Sequence, residues 1–574
     1  MEEPVKGEWS AADSAAASDR RRVGGAPPRR FVRRLTGIFL LLVFVAVAFT
    51  WISLIPVRRA SESWKFGRVA EAVDAADSWS RLRLWPNQYH QILAASHLST
   101  GDSAAAQPHV DAIRGKRLVL DMIPKDELAT RLFERRRYDD FLVYDAAVST
   151  LFGGDDAQLH RAVAFLSTGR MAEAETAVRT IDRDDVDGEK LAALERALAV
   201  RRQGSYPLVL DRQNRTIAMY EMNNRDLVAI NTDFAALVEK EAGAATIEAH
   251  LSAFDPNETI ETTLDPAVQK AAMAALAGFR GSLVAIDPRT NEILAVASTR
   301  GSGALSNLAL EQQYEPGSVI KVLTALNALS SGVPLDFPYL CTGELQIDDK
   351  RLGDWLSTGH GSLADLDQAM AESCNIVFAD LGIRLGAGPL RRFMTAAGFD
   401  GSTNLGLFEA PLGRTVGAMP SGYETALYAI GLEHETATTL HLAMLASAMA
   451  NRGVMTTPRL LRARRSILGD VVGQPPPQTS ATLVDKAVAE RVIRTMVAVV
   501  TREKGTGRRA APDRMTVAMK TGTAGTREGG FDSVIMGFTP VDAPTLAFAL
   551  MAEDAGPAEY AGAKITRDFL EGVP

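Results

Sequence analysis

The apolar pattern has one feature that outweighs the rest. Leu35 to Val57 (LTGIFLLLVFVAVAFTWISLIPV) is 23 residues without a charge. That is enough helix to cross a hydrocarbon core of ~30 Å. Arg20, Arg21, Arg22, Arg29, Arg30, Arg33 and Arg34 precede it, and only Arg58 and Arg59 follow closely. The basic excess predicts an N-terminus in the cytoplasm and the remainder outside. A cleaved signal peptide is the competing reading, but the run is longer than a signal core and no small-x-small site follows it. No other run is this long, so the pattern predicts a single-pass anchor in the cytoplasmic (inner) membrane.

Residues 1–34 are rich in Ala, Arg, Ser and Pro, the composition of a disordered cytoplasmic tail. Residues 58–203 carry helical periodicity: Leu159, Ala162, Val163 and Leu166 make one stripe, and Met171, Ala174, Val178 and Ile181 the next. "LSTG" stands at Leu98–Gly101 and again at Leu166–Gly169, 68 residues on, twice the 34-residue tetratricopeptide period. Arg136–Val148 reads as a worn middle copy. The region weakly resembles tetratricopeptide repeats; a generic helical bundle is the alternative. Stacked helix pairs leave a concave face suited to docking a partner, here expected to be another envelope protein.

From residue 204 the period drops to two. "YPLVLDRQNRTIAMYE" (Tyr206–Glu221) reads as two strands around a turn at Gln213–Asn214. Residues 204–261 are expected to form a small pedestal or linker. Residues 262–574 alternate strand-like and helix-like segments, enough for one large α/β domain. The fold class is therefore multidomain: a transmembrane helix, an all-α repeat region and an α/β domain.

Composition narrows the picture little. The chain has 574 residues, 46% of them hydrophobic and 23% charged, which is ordinary for globular protein and long enough for two to four domains. A formal charge of −8 gives no reason to expect nucleic acid. Cys341 and Cys374 cannot make a disulfide framework. Eight histidines and two well-separated cysteines argue against a zinc site, so no metal is expected.

Three short motifs carry chemistry. "YEPGSVIKVLTAL" (Tyr314–Leu326) is a loop running into a helix, with Ser318 and Lys321 three apart on its first turn. "AMAESCNIVFADLG" (Ala369–Gly382) places Ser373 and Asn375 inside otherwise apolar, helix-like sequence. "VAMKTGTAG" (Val517–Gly525) is a strand carrying Lys520, Thr521, Gly522 and Thr523; Gly522 would let a ligand backbone lie close. A serine is a weak nucleophile until a base takes its proton. Lys321 can be that base if burial and a neighbouring charge such as Lys520 lower its pKa. Free N–H groups at the helix start suit an oxyanion.

Singly these motifs are common, but their order, spacing and context together are specific. With "TLDPAVQKAAMAAL", "VAIDPRTNEILAVAS" and "IGLEHETATTLHLAMLASAMANRG", residues Thr262–Glu571 resemble the transpeptidase domain of penicillin-binding proteins, of the β-lactamase/transpeptidase-like class. "YPLVLDRQNRTIA" is similar to the pedestal of the monofunctional, class B branch, and no glycosyltransferase domain is evident. The resemblance implies Ser318 as the acylated nucleophile and Lys321 as its base. Ser373 would relay a proton, Asn375 would hold the substrate amide and Lys520 would complete the positive field. Thr521 and Thr523 would bind the terminal carboxylate beside Gly522, and the N–H groups of Ser318 and Thr523 would form the oxyanion hole. It implies peptidoglycan stem peptides as substrate, β-lactams as covalent inhibitors, an extracytoplasmic catalytic domain and no cofactor.

Two departures from the family pattern stand out. Val534 and Ile535 occupy the place of a frequent Trp-Phe pair, and Met519 replaces a usual Gly; both are expected near the substrate groove. Cys374 reads as a small core residue, and a disulfide with Cys341 has no support in the sequence. Three functional readings stay in competition: a D,D-transpeptidase; a hydrolase (D,D-carboxypeptidase, endopeptidase or β-lactamase); and a non-catalytic penicillin-binding scaffold.

Overall fold

The computed structural model describes residues 29–80, 84–116, 123, 125–148, 155–184, 186–202, 205–221, 226–239, 245–253, 258–299, 307–415, 417–419, 421–526 and 530–574. Most of the expected tail, residues 1–28, lies outside them. Residues 29–34 are helical, so the helix that carries the apolar run begins within the expected tail. The chain divides into two compact units, Met1–Thr168 and Gly169–Pro574.

Among the described residues, the first unit is built of helices and their connections. Helix α1 (Arg29–Lys65) contains the whole apolar run and continues past it on both sides. Its apolar window is only 6% buried, as a lipid-facing segment requires. Leu54, Val57, Ala60 and Trp64 then form a buried face packed on α2 (Val69–Ser80) and α3 (Pro86–Thr100). Next come α4 (Ser103–Ile113), α5 (Lys125–Glu134), α6 (Tyr138–Val148) and α7 (Asp155–Ser167). Both "LSTG" copies close a helix: Gly101 follows α3 at φ 92° and Gly169 follows α7 at φ 77°. Arg136 takes the same left-handed turn between α5 and α6 at φ 58°. Asp102 then caps α4 by accepting the Ala105 N–H.

The second unit opens with α8 (Met171–Arg179) and α9 (Gly188–Arg202). Helical sequence thus runs to residue 202, yet α8 and α9 belong to this unit, where α9 packs on β1 (Ser205–Leu210). Strand β1 pairs antiparallel with β2 (Thr216–Glu221) around the expected turn, where Asn214 has φ 61° and Asp211 accepts from the Gln213 and Arg215 N–H groups. With β3 (Asp226–Ala229), β4 (Thr259–Thr262) and two later strands, β7 (Leu461–Arg465) and β8 (Val471–Gly473), they form a six-stranded sheet in the order β8-β7-β4-β1-β2-β3.

The second sheet positions the chemistry. Strands β5 (Arg280–Asp287) and β6 (Glu292–Thr299) form a hairpin. Later come β9 (Ala518–Thr526), β10 (Gly530–Thr539) and β11 (Leu546–Glu553). The order is β9-β10-β11-β5-β6, antiparallel throughout, with β9 at an edge. Helices α10 (Pro266–Ala275) and α17 (Ala561–Gly572) cover the sheet with α15 (Thr439–Ala450). Strands buried along almost their whole length read as continuous apolar runs, not as alternation.

A helical block stands beside β9. Its central member, α11 (Lys321–Ser330), is packed by α13 (Asn375–Leu385), α14 (Gly422–Ile430) and α16 (Lys486–Thr501). Gly382 permits a close crossing, because a Cβ there would lie 2.2 Å from the Ala429 Cβ.

Candidate active site

Ser318 lies in a 3₁₀ turn, Gly317–Ile320, and Lys321 opens α11. The expectation of an ordinary α-helical first turn is corrected, and the tighter geometry helps: residues three apart eclipse in a 3₁₀ turn. The turn is wedged between two backbones. Gly317 sits at φ 56°, its N–H donating to the Gly431 carbonyl at 2.9 Å. A Cβ on Gly522 of β9 would come within 2.7 Å of the Pro316 carbonyl and 3.3 Å of the Ser318 nitrogen. The protein's own serine turn therefore requires glycine at position 522, independently of any ligand backbone beside the strand. Ser318 is half-buried, and among the described residues neither its hydroxyl nor its N–H has a hydrogen-bond partner.

Lys321 is wholly buried. Its Nζ donates to the Ser373 carbonyl at 2.7 Å, the Ser373 Oγ at 3.2 Å and the Asn375 Oδ1 at 2.7 Å. Burial lowers its pKa to about 8, against the opposing pull of Asp354 and Cys374. Lys520, also fully buried, donates to Ser373 Oγ at 2.9 Å and to the Thr521 carbonyl at 2.7 Å. Burial, and then the charge of Lys321, push Lys520 well below the ordinary lysine range.

Ser373 and Asn375 do not continue one helix, as their apolar surroundings suggested. Helix α12 (Leu366–Ala371) ends in a Schellman turn: the Ser373 N–H reaches the Met370 carbonyl and the Cys374 N–H the Ala369 carbonyl. Ser373 holds the left-handed position usually given to glycine, at φ 56°. Such a conformation costs a residue with a Cβ roughly 1–2 kcal/mol. It aims the Ser373 carbonyl and hydroxyl together at Lys321, while Asn375 starts α13 and supplies the third acceptor.

On β9, the Thr521 hydroxyl lies 2.6 Å from the Thr506 hydroxyl, and Thr523 Oγ1 accepts the Ala558 N–H at 3.1 Å. Thr506 escaped the sequence reading. It is tied to the end of α12 through its N–H to the Ala371 carbonyl, and "KGTG" (Lys504–Gly507) was its only local signal. Met519, Val534 and Ile535 are fully buried in their strands. Val534 and Ile535 pair with Gly522 and Thr521 across the β9–β10 ladder.

Behind Ser373 lies a second polar cluster. Cys341, Asp354 and Cys374 each offer a ligand atom, all within 4.8 Å of one another, and both thiols lie 3.3 Å from Asp354 Oδ2. The buried His360 Nε2 faces Asp354 Oδ1 at 3.5 Å, and among the described residues neither atom has a hydrogen-bond partner. The two sulfurs and the carboxylate are donors of the kinds zinc takes, and the imidazole stands against the carboxylate. The expectation of no metal rested on few histidines and on two cysteines far apart in sequence; folding brings the two cysteines together. Both cysteines are free thiols.

Residues 281–571 match the family model of the penicillin binding protein transpeptidase domain. Among curated relatives, the peptidoglycan D,D-transpeptidase MrdA of Acinetobacter baumannii is 28% identical over 387 residues, covering 57% of this chain and 57% of that protein. The peptidoglycan D,D-transpeptidase PbpA of Mycolicibacterium smegmatis is 28% identical over 344 residues, covering 52% and 67%. Of solved structures, the D,D-transpeptidase domain of a peptidoglycan glycosyltransferase from Eggerthella lenta superposes with a TM-score of 0.57 at 26% identity, covering 64% of this chain and 98% of that one. A penicillin G acyl-enzyme complex of penicillin-binding protein A from M. tuberculosis shares the fold, with a TM-score of 0.57 at 23% identity over 64% and 98% of the two chains. The match takes in half of this chain and follows the order of its motifs, so the chain belongs to the penicillin-binding protein transpeptidase family.

Proposed function

We propose that this protein is a membrane-anchored D,D-transpeptidase that cross-links peptidoglycan stem peptides through an ester on Ser318. The observation that carries this reading is the convergence of two buried lysines, Lys321 and Lys520, on the Ser373 hydroxyl, in a domain whose β9 edge runs beside the Ser318 turn. Neutral Lys321 takes the Ser318 proton, and Ser318 Oγ attacks the carbonyl of the penultimate D-alanine. The Ser318 N–H, which has no partner among the described residues, and the Thr523 N–H receive the oxyanion. Ser373 Oγ already accepts from both lysines, so its own proton points elsewhere and can pass to the departing amine of the terminal D-alanine. An acceptor amine then attacks the ester and frees Ser318. Thr521 and Thr523 hold the terminal carboxylate, and Asn375 the substrate amide.

The arginine excess on the N-terminal side of the apolar run supports a cytoplasmic N-terminus in the inner membrane, with the catalytic domain outside. The helix pairs of residues 58–203 suit the docking of another envelope protein. The deciding experiment is labelling with a fluorescent penicillin: wild type is labelled covalently, and Ser318→Ala is folded and unlabelled. Labelling that survives Ser318→Ala would refute the assignment.

A further inference from the structure

The helix that spans the membrane and the helix that founds the first unit are one element. Packing of the unit starts before the apolar run ends: Leu54 and Val57 are buried, yet both belong to the charge-free stretch Leu35–Val57. Trp85, the residue before α3, donates its indole N–H to Ser53 Oγ at 3.0 Å. Ser53 precedes Arg58, the first charge after the run, by five residues. At 1.5 Å per residue that puts the indole about 7 Å to the bilayer side of Arg58.

The surroundings at that level are interfacial. Arg58 lays its guanidinium over the Trp51 ring at 4.6 Å, the arrangement of an arginine reaching back along an apolar surface. Trp51, Ile52 and Ile55 are exposed on α1, and Leu84, next to Trp85, is 40% exposed. Tryptophan and arginine at one height, with bare aliphatic side chains beside them, is the pattern of a membrane–water boundary. The charge-free run is about 34 Å long, a few Å more than the ~30 Å hydrocarbon core, so its last residues fall at that boundary.

We infer that Leu84 and Trp85, directly ahead of α3, are seated in the lipid headgroup layer, so that the helical unit lies against the bilayer. The occupant of this face is lipid, since the face is continuous with the span itself. The inference rests on the anchoring reading of α1. Its consequence is positional: whatever docks on the helical unit meets it at the membrane surface.

The test uses the full chain in phosphatidylethanolamine–phosphatidylglycerol vesicles containing lipids brominated near the headgroup. The Trp85 emission, taken as wild type minus Trp85→Phe, is expected to fall about twofold or more with shallow bromines, and less with bromines at the chain ends. In a second variant, Leu84→Cys carries an environment-sensitive dye; the native cysteines are buried and stay unlabelled. Its emission is expected at shorter wavelength in vesicles than in urea-unfolded protein. An unquenched Trp85 with a water-like dye at residue 84, in protein that resists carbonate extraction, overturns the inference alone. Protein released by carbonate overturns the anchoring reading beneath it.

Discussion

Lys321 and Lys520 share one acceptor: the Ser373 hydroxyl oxygen lies 3.2 Å from the Lys321 Nζ and 2.9 Å from the Lys520 Nζ. Two ammonium groups so close, both buried, cannot both keep their protons cheaply. Lys321, with a pKa of about 8, is poised to lose one near neutral pH. Acylation should therefore accelerate as pH rises through about 8 and level off above it. The check is the second-order rate of penicillin acylation against pH. A rate that is flat across this range would remove Lys321 as the base.

The same shift has a stability consequence. The folded pKa of Lys321 is depressed from 10.5 to about 8. Between those values the unfolded chain holds a proton that the folded chain has released, so stability rises with pH across the window. Lys520 acts in the same direction. Urea unfolding midpoints of the catalytic domain, followed from about pH 8 to about 10, should rise, and less steeply in Lys321→Met.

Ser373 separates strain from chemistry. Ser373→Ala and Ser373→Gly both remove the shared acceptor, and both should lower acylation by ~10²-fold or more. Only glycine accepts φ 56° without strain. Ser373→Gly should therefore be more stable than Ser373→Ala by roughly 1–2 kcal/mol. Equal stability would mean that the left-handed turn stores no strain.

The site was legible in the sequence where chemistry is local. Ser318 and Lys321 lie in one helical turn, and Lys520 to Thr523 in one strand, so spacing alone suggests their neighbourhood. What escaped was assembled across distance. Thr506 meets Thr521 from the loop after α16. Cys341, Asp354, His360 and Cys374 come from separate segments, and no periodicity reports their meeting. The helical region was visible from its period, but its division between the two compact units depends on packing of α9 against β1, which period does not encode. Similarly, the apolar run marked the middle of α1 but not its ends, because arginines before it and "SESWK" after it continue the backbone without continuing the hydrophobicity.

The close approach of β9 to the serine turn gives a steric prediction. Gly522→Ala would place a methyl 2.7 Å from the Pro316 carbonyl, against backbone that cannot swing aside. The turn must shift, and acylation should fall by ~10²-fold, the cost of a misplaced reacting group. Gly353→Ala is the control: no atom lies within 4 Å of the point its methyl would occupy. Penicillin labelling rates of the two variants at equal folded fraction make the comparison, and a Gly522→Ala enzyme as fast as Gly353→Ala would show the turn to be pliant.

The fate of the ester decides between transfer and hydrolysis, and the carboxylates near the site bear on it. Rapid hydrolysis needs a base that activates water against the ester. Glu372 adjoins Ser373, but its carboxylate is held by His360 Nδ1 at 3.1 Å and by Gln368 Nε2 at 2.9 Å. Glu435 is fully buried, and burial with the nearby charge of Glu315 holds its carboxyl well above the usual range, which disfavours the carboxylate form a base needs. The penicilloyl ester should then outlive many catalytic cycles, and Glu372→Gln and Glu435→Gln should change its lifetime by less than about twofold, since neither removes a working base. Intact-mass decay of the penicilloyl-enzyme measures this. With a stem-peptide donor and a D-amino acid or natural amine acceptor, exchange or cross-linked product should exceed hydrolysis. Fast decay that slows in either Gln variant would identify a deacylating base and move the protein to the hydrolytic class.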